Sequence, residues 1–417
     1  MSDAYTIFKN RDIRLFLISK FFITLGTQMQ HVVLGWQVYQ MTKDPLALGL
    51  IGLSEAIPFM GFLLWAGHQT DRSEKKRLIL SSQMGLLGCS LALLLLALRE
   101  ASSPWPIYGV IAATGIANSF LGPSSSAYFD TTVHKEIYSQ AAGWRSTLWQ
   151  VGAILGPILG GGIYSIGTAA LAYGGVVLIL GIGVFFIAQL SPRPAGHVPS
   201  TVSSRQELME GIRFVRSRPI LWGAMGLDMF AVLFGGAVAI LPFFAERLGG
   251  GSAGLGLLTA ASSVGALLMA LYQSHRPAFT RTGKALLIGV FIFGLCMVTF
   301  ALSPWFLVSW AILAIGGAAD NVSVVIRASI LQAATPDHLR GRVSSVNGLF
   351  ITASNELGAF ESGVAARIFG VAPSVILGGL LTWVSVFVAA WKIPELRRLR
   401  LKGRVPEAAL GEGDPVR

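Results

Sequence analysis

Five carboxylates, Glu55, Asp228, Asp320, Glu356 and Glu361, sit inside long apolar runs of the sequence. Arg145, Arg327 and His31 are placed in the same way, and the amides Gln28 and Asn118 accompany them. A charged group at the centre of a bilayer costs about 2.5–3.5 kcal/mol on insertion scales, so each is a functional candidate by default. The chemistry open to a carboxyl in such a place is reversible protonation. An apolar setting disfavours its charged form, so it could load a proton on one side of a barrier and release it on the other. The bland alternative for each is a structural ion pair or a protonated, hydrogen-bonded acid. Asp320 and Arg327 are seven residues apart and on a helix would share a face about two turns apart.

Enzymatic chemistry finds little support. No G-x-x-x-x-G-K-S/T phosphate loop and no H-E-x-x-H zinc pair occurs, and no G-x-S-x-G element is read as supporting a membrane hydrolase. Cys89 and Cys296 lie in separate apolar runs and form no metal or disulfide pattern, so helix packing is the role expected of each. Neither a cofactor nor a metal is expected.

The elements that carry these residues must be membrane helices. Of the 417 residues 53% are apolar and only 13% are charged, against about 25% charged in soluble domains. Many separate runs reach the length of about 20 residues that crosses a bilayer. The runs are continuous rather than alternating, which selects helices over a barrel. The pattern predicts an all-α polytopic membrane protein with twelve transmembrane helices, near 13–41, 46–66, 78–98, 105–128, 138–164, 168–190, 219–245, 252–273, 284–302, 305–327, 343–366 and 371–391.

The net charge of +11 follows the same plan. Basic residues crowd alternate loops: Lys9 to Arg14, Arg72 to Arg77, Lys135, Arg193 to Arg218, Arg276 to Lys284, Arg340 and Arg342, and Arg397 to Arg404. The opposite side has only Lys43, Arg99, Arg247 and Arg367. The positive-inside rule then puts both termini in the cytoplasm, the location being a bacterial inner membrane, and leaves no need for a nucleic-acid partner. No cleavable signal peptide is expected, since the first apolar run is too long for one.

The stretch Ser191 to Ser200 is rich in Pro, Gly and Ser and reads as a linker. Ser203 to Arg218 behind it is amphipathic, with Leu208, Ile212 and Val215 at helical spacing, and is expected to lie on the membrane surface. The expected organisation is a six-helix bundle over 1–190, a linker over 191–218, a second six-helix bundle over 219–392 and a tail over 393–417. The halves look like repeats offset by roughly 200 residues, as in transporters built from repeated bundles.

Two motifs carry a family resemblance. Gly67-His68-Gln69-Thr70-Asp71-Arg72-Ser73-Glu74-Lys75-Lys76-Arg77 reads as a compact charged turn between two spanning runs. It resembles the signature loop of the major facilitator superfamily, G-x-x-x-D-R-x-G-x-K/R-K/R, through Gly67, Asp71, Arg72, Lys76 and Arg77, with Glu74 where the pattern has Gly. Gly152-Ala153-Ile154-Leu155-Gly156-Pro157-Ile158-Leu159-Gly160-Gly161 matches the superfamily pattern G-x-x-x-G-P-x-x-G-G at every fixed position. Its glycines allow close backbone approach and Pro157 removes a helical hydrogen bond. The stretch Asp320 to Gly363 is similar to the branch that contains the enterobactin exporter and related drug exporters.

The resemblance implies two six-helix bundles around a cavity lined by helices one, four, seven and ten. It makes Gln28, His31, Asn118 and Asp320 candidate cargo contacts. It implies a conformational gate at Gly67, Asp71, Arg72, Lys76 and Arg77, with Asp71 accepting from helix-terminal amides, and an antiporter motif at Gly152, Gly156, Pro157, Gly160 and Gly161. Arg145 and Arg327 are further gate candidates. Helices two and eleven would face one another, so Glu55 could approach Glu356 or Glu361. Glu55 is the first candidate for proton coupling, Asp228 the second, with Glu356 and Glu361 behind them. The resulting expectation is a monomeric, proton-coupled antiporter. It would export small amphipathic, drug- or siderophore-like cargo by alternating access, with protons, cargo and membrane lipids as its partners. An importer or lysophospholipid transporter of the same superfamily, or a non-transporting membrane receptor, stays open as an alternative.

Overall fold

In lipid every backbone amide must find its partner within its own segment, and apolar runs of this length do so as helices. The computed structural model describes residues 6–100, 102–192, 204–276, 281–336 and 339–400, and among them no strand occurs. The helices are α1 (Arg11–Thr42), α2 (Pro45–Arg72), α3 (Lys75–Leu98), α4 (Trp105–Thr132), α5 (Tyr138–Ile166), α6 (Ala169–Ala188), α7 (Ser204–Ser217), α8 (Pro219–Gly235), α9 (Leu241–Arg247), α10 (Gly251–Ser274), α11 (Thr282–Leu302), α12 (Phe306–Ala334), α13 (Arg340–Phe369), α14 (Val371–Lys392) and α15 (Pro394–Arg398). Eight spans among the described residues are long and apolar enough to cross a membrane: α2, α3, α6, α8 with α9, α10, α11, α12 and α14. Four more helices, α1, α4, α5 and α13, have 28 to 32 residues and carry more Gly, Ser, Thr, Gln or charge.

Local chemistry sets the boundaries. The Asn10 side chain accepts from the amides of Asp12 and Ile13 and starts α1. Lys43 turns left-handed at φ 51° to end it, and Asp44 caps α2 ahead of Pro45. The connection from α13 to α14 turns on Gly370 at φ 91°, a conformation that a Cβ resists.

Three boundaries depart from expectation. The charged turn over Gly67 to Arg77 shrinks to Ser73 and Glu74, because α2 continues to Arg72. No helix breaker intervenes there, the Ser73 amide donates to the Gln69 carbonyl, and the Lys75 ammonium donates to the carbonyl of Thr70. The expected helix over 219–245 is two pieces, since Gly235 and Gly236 weaken it and Pro242 at the start of α9 supplies no amide hydrogen. The expected end of helix ten at Arg327 moves to Ala334, leaving Arg327 about two turns inside α12.

The chain packs into two units, Met1–Ser200 with Ala239–Ser263, and Thr201–Val238 with Val264–Arg417. The segment Ala239–Ser263 joins the first unit through specific contacts. Gly256 of α10 receives the carbonyl of Pro157, Gly161 receives that of Ser252, and the Gln150 side-chain amide donates to the Ser263 carbonyl at 2.6 Å.

In the second unit, Val215 of α7 is buried with Val343 and Val346 of α13, and Ile212 packs against the same cluster. Gly211 lies against the carbonyl of Arg342, whose guanidinium pairs with Glu210 at 2.6 Å. The apolar face of α7 is therefore turned onto α13. A protein groove there offers apolar burial together with a salt bridge.

Candidate functional site

In the first unit Glu55 of α2, Asn118 of α4 and His31 of α1 meet. The Asn118 amide donates to Glu55 Oε1 at 2.8 Å, and His31 Nε2 stands 4.0 Å from Glu55 Oε2. The latter separation is close enough for charges to interact and too long for a hydrogen bond. The Glu55 side chain is 15% exposed and that of His31 53%. Gly115 makes the meeting possible: a Cβ there would collide with the Glu55 carbonyl, so only glycine lets α4 approach α2 here. The sequence reading missed Gly115, although it precedes Asn118 by about one turn on the same helix face.

α1 divides its amides between two tasks. Gln30 and Gln37 are buried and accept from Ser90 of α3 and Tyr173 of α6, so they tie the bundle together. Gln28 is half-buried with its Cβ against Gly156.

In the second unit Asp228 of α8 forms an ion pair with Arg327 of α12, and the Ser323 hydroxyl donates to Asp228 Oδ1 at 3.3 Å. All three are buried, next to the apolar cluster of Met225, Leu227, Ala231, Val322 and Ile326. Arg327 thus pairs with Asp228, 99 residues away in sequence, and not with Asp320. Asp320 and Arg327 share α12, but the guanidinium points to the neighbouring helix rather than along its own. Ser323 was missed, though it precedes Arg327 by four residues, the spacing of facing side chains. Asp320 and Glu361 are half-buried and have neither an ion pair nor a hydrogen bond among the described residues, and Glu356 is half-buried.

The helix-five motif is a contact stripe. Gly152, Gly156, Pro157, Gly160 and Gly161 are buried while most of α5 is not. A Cβ on Gly156 would lie 2.7 Å from both Gln28 Cβ and the Leu25 carbonyl oxygen, and one on Gly160 2.7 Å from the Met29 carbonyl oxygen. Gly152 faces Thr24. Glycines four apart thus seat α1, and Pro157 with Gly161 seats α10.

At the end of α2, Arg77 pairs with Glu74 at 2.8 Å, so the residue that replaces the pattern's Gly has found a neighbour. Arg72 is exposed and Lys76 half-buried. A Cβ on Gly67 would meet open space. The Asp71 side chain lies outside the described residues. Arg145 is half-buried with its guanidinium 4.6 Å from the centre of the Phe129 ring, a cation–π contact. The letters G-x-S-x-G do occur, at Gly250-Gly251-Ser252-Ala253-Gly254. Ser252 is buried in the first turn of α10 with no strand before it, so this is no nucleophile elbow.

Bilayer-length helices in two packed units, with carboxylates and an ion pair inside them, define a polytopic all-α membrane protein. The sequence model of the Major Facilitator Superfamily matches residues 16–359. The chain belongs to the Major Facilitator Superfamily and is one of its transporters, integral to a membrane. It is 26% identical over 417 residues to the enterobactin exporter EntS of Citrobacter koseri, covering 95% of both chains. Against EntS of Escherichia coli O1:K1 the identity is 26% over 408 residues, 93% of each. Among solved structures it resembles a bacterial homolog of the human lysosomal transporter Spinster, at TM-score 0.70 and 15% identity over 95% of this chain and 99% of that one. It also resembles a POT family transporter in complex with a thioalcohol conjugated peptide, at TM-score 0.74 and 14% identity over 93% and 96%. These structural likenesses speak for the fold.

Proposed function

We propose that the protein is a proton-coupled antiporter that exports small amphipathic molecules, drug- or siderophore-like, by alternating access. Twelve spans, with both termini in the cytoplasm of a bacterial inner membrane, complete the reading. The observation that carries it is the His31–Glu55–Asn118 cluster. An acid and an imidazole, both able to change charge, stand 4.0 Å apart on two apolar helices, with an amide holding the acid in place. A proton loaded on Glu55 would cancel the charge that faces His31, and its loss would restore it, so proton traffic is coupled to the fit of α1 against α2. Asp228 is the second coupling group. Protonating it would free Arg327, a change of one full charge in a buried setting. The likeness to enterobactin exporters supports the export direction and the cargo class.

The test is transport in proteoliposomes with a pH-sensitive dye inside and an imposed proton gradient. Lipophilic cations, catecholate siderophores and lysolipids are offered in turn. Cargo-dependent proton flux is expected from the parent and not from Glu55→Gln, while Asn118→Leu should retain flux at a reduced rate. Full proton-coupled flux in Glu55→Gln would remove Glu55 from the mechanism, and cargo movement without proton flux would remove proton coupling altogether.

A further inference from the structure

The second unit contains a pocket of about 610 Å³ whose lining is almost entirely cationic: Arg281, Lys284, Arg397, Arg398 and Arg400, with Leu399. None of the five is ion-paired among the described residues. Two segments more than 110 residues apart in sequence build it, the start of α11 and the α15 region that follows α14.

Their convergence is enforced by packing. Leu396 and Leu399 are buried in the apolar cluster with Leu286 and Leu287. The Gly283 amide donates to the Leu399 carbonyl at 3.2 Å, and a Cβ on Gly283 would collide with the Leu396 carbonyl. α15 is thus docked on the first turn of α11, which brings the exposed cations of both segments to one pocket. Topology alone requires positive charge on one side of the membrane; it does not require five cations around one cavity, where like charges repel. A bound anion relieves that repulsion.

We propose that this pocket is a binding site for a phosphate-bearing anion. Its place at the ends of two spanning helices, where α11 begins and α14 has just ended, puts it at the level of lipid headgroups. Basic pockets beside membrane helices take anionic headgroups, and guanidinium groups grip phosphate oxygens in pairs. The source is therefore an acidic phospholipid headgroup or free phosphate.

The test uses the full-length protein in detergent. Its thermal midpoint is followed against dihexanoyl phosphatidylglycerol, dihexanoyl phosphatidylcholine, and sodium phosphate with a sodium chloride control at equal ionic strength. A ligand that prefers the folded state raises the midpoint with its concentration. A saturable rise is expected with phosphatidylglycerol. Arg397→Gln combined with Arg398→Gln should shift the half-saturation at least tenfold upward. Arg276→Gln combined with Lys392→Gln removes the same charge outside the pocket and should not. If Arg397→Gln/Arg398→Gln fails to fold, Arg281→Gln/Lys284→Gln serves in its place. A rise with sodium phosphate as well supports the site and names free phosphate as sufficient. A rise with phosphatidylglycerol alone supports it and names the lipid. No rise with either, an equal rise with phosphatidylcholine, or equal loss in both double variants would overturn the proposal.

Discussion

Asp228 and Arg327 offer a sharp test of the energetics of the second unit. Their side chains are 7% and 5% exposed, and Ser323 supplies the one further donor to the carboxylate among the described residues. Removing one partner of such a pair leaves an uncompensated buried charge, at a cost of about 3–5 kcal/mol. Asp228→Leu should be worse than Arg327→Met, because a stranded carboxylate can discharge by taking a proton whereas a guanidinium cannot. Asp228→Leu combined with Arg327→Met removes both charges at similar volume and should recover most of the parent stability. Cys296 is buried in α11 of the same unit and provides a reporter once Cys89 is replaced by Ala. Its modification by a fluorogenic maleimide follows the population of opened molecules. At about 1.4 kcal/mol per tenfold, Asp228→Leu should accelerate labelling by roughly 10²–10³·⁵-fold, and the double variant by less than about tenfold. Single variants labelled within about threefold of the parent, or a double variant labelled as fast as Asp228→Leu, would refute the reasoning.

Other perturbations follow from the packing. Gly156→Val should destabilise by about 1–3 kcal/mol and abolish transport, since its Cβ meets the backbone of Leu25 and Met29. Gly162→Ala, one position beyond the motif and with nothing within 4 Å, should be neutral or stabilise by about 0.5–1 kcal/mol; thermal midpoints and flux compare the two. Val215→Asp places a charge in the seam between α7 and α13 and should release α7, read as faster proteolysis in the 204–217 segment while transmembrane segments stay protected. Arg77→Ala should change the thermal midpoint little, by less than about 1 kcal/mol equivalent, because its pair with Glu74 is exposed; a larger loss would show that Arg77 has a second partner.

The all-α membrane architecture was legible in the sequence because hydropathy acts run by run: an apolar stretch of spanning length has one way to satisfy its backbone. The spacing of Gly152, Gly156 and Gly160 announced a close contact, and their burial agrees. The break between α8 and α9 was written in Gly235, Gly236 and Pro242 but lay hidden under uninterrupted apolarity. What the sequence could not determine is rotation and pairing. It showed that α5 needs a close neighbour, and only packing names α1 and α10. It placed Arg327 near Asp320 along one helix, and packing joins it to Asp228 on another. It made α7 amphipathic, and packing sets Ile212 and Val215 against α13. It set Arg281 and Arg398 more than 110 residues apart, and the docking of Leu396 and Leu399 brings them to one pocket. In each case the chemistry of a side chain is local, while its partner depends on how helices turn against one another, and that is settled by the shapes of all the residues packed between them.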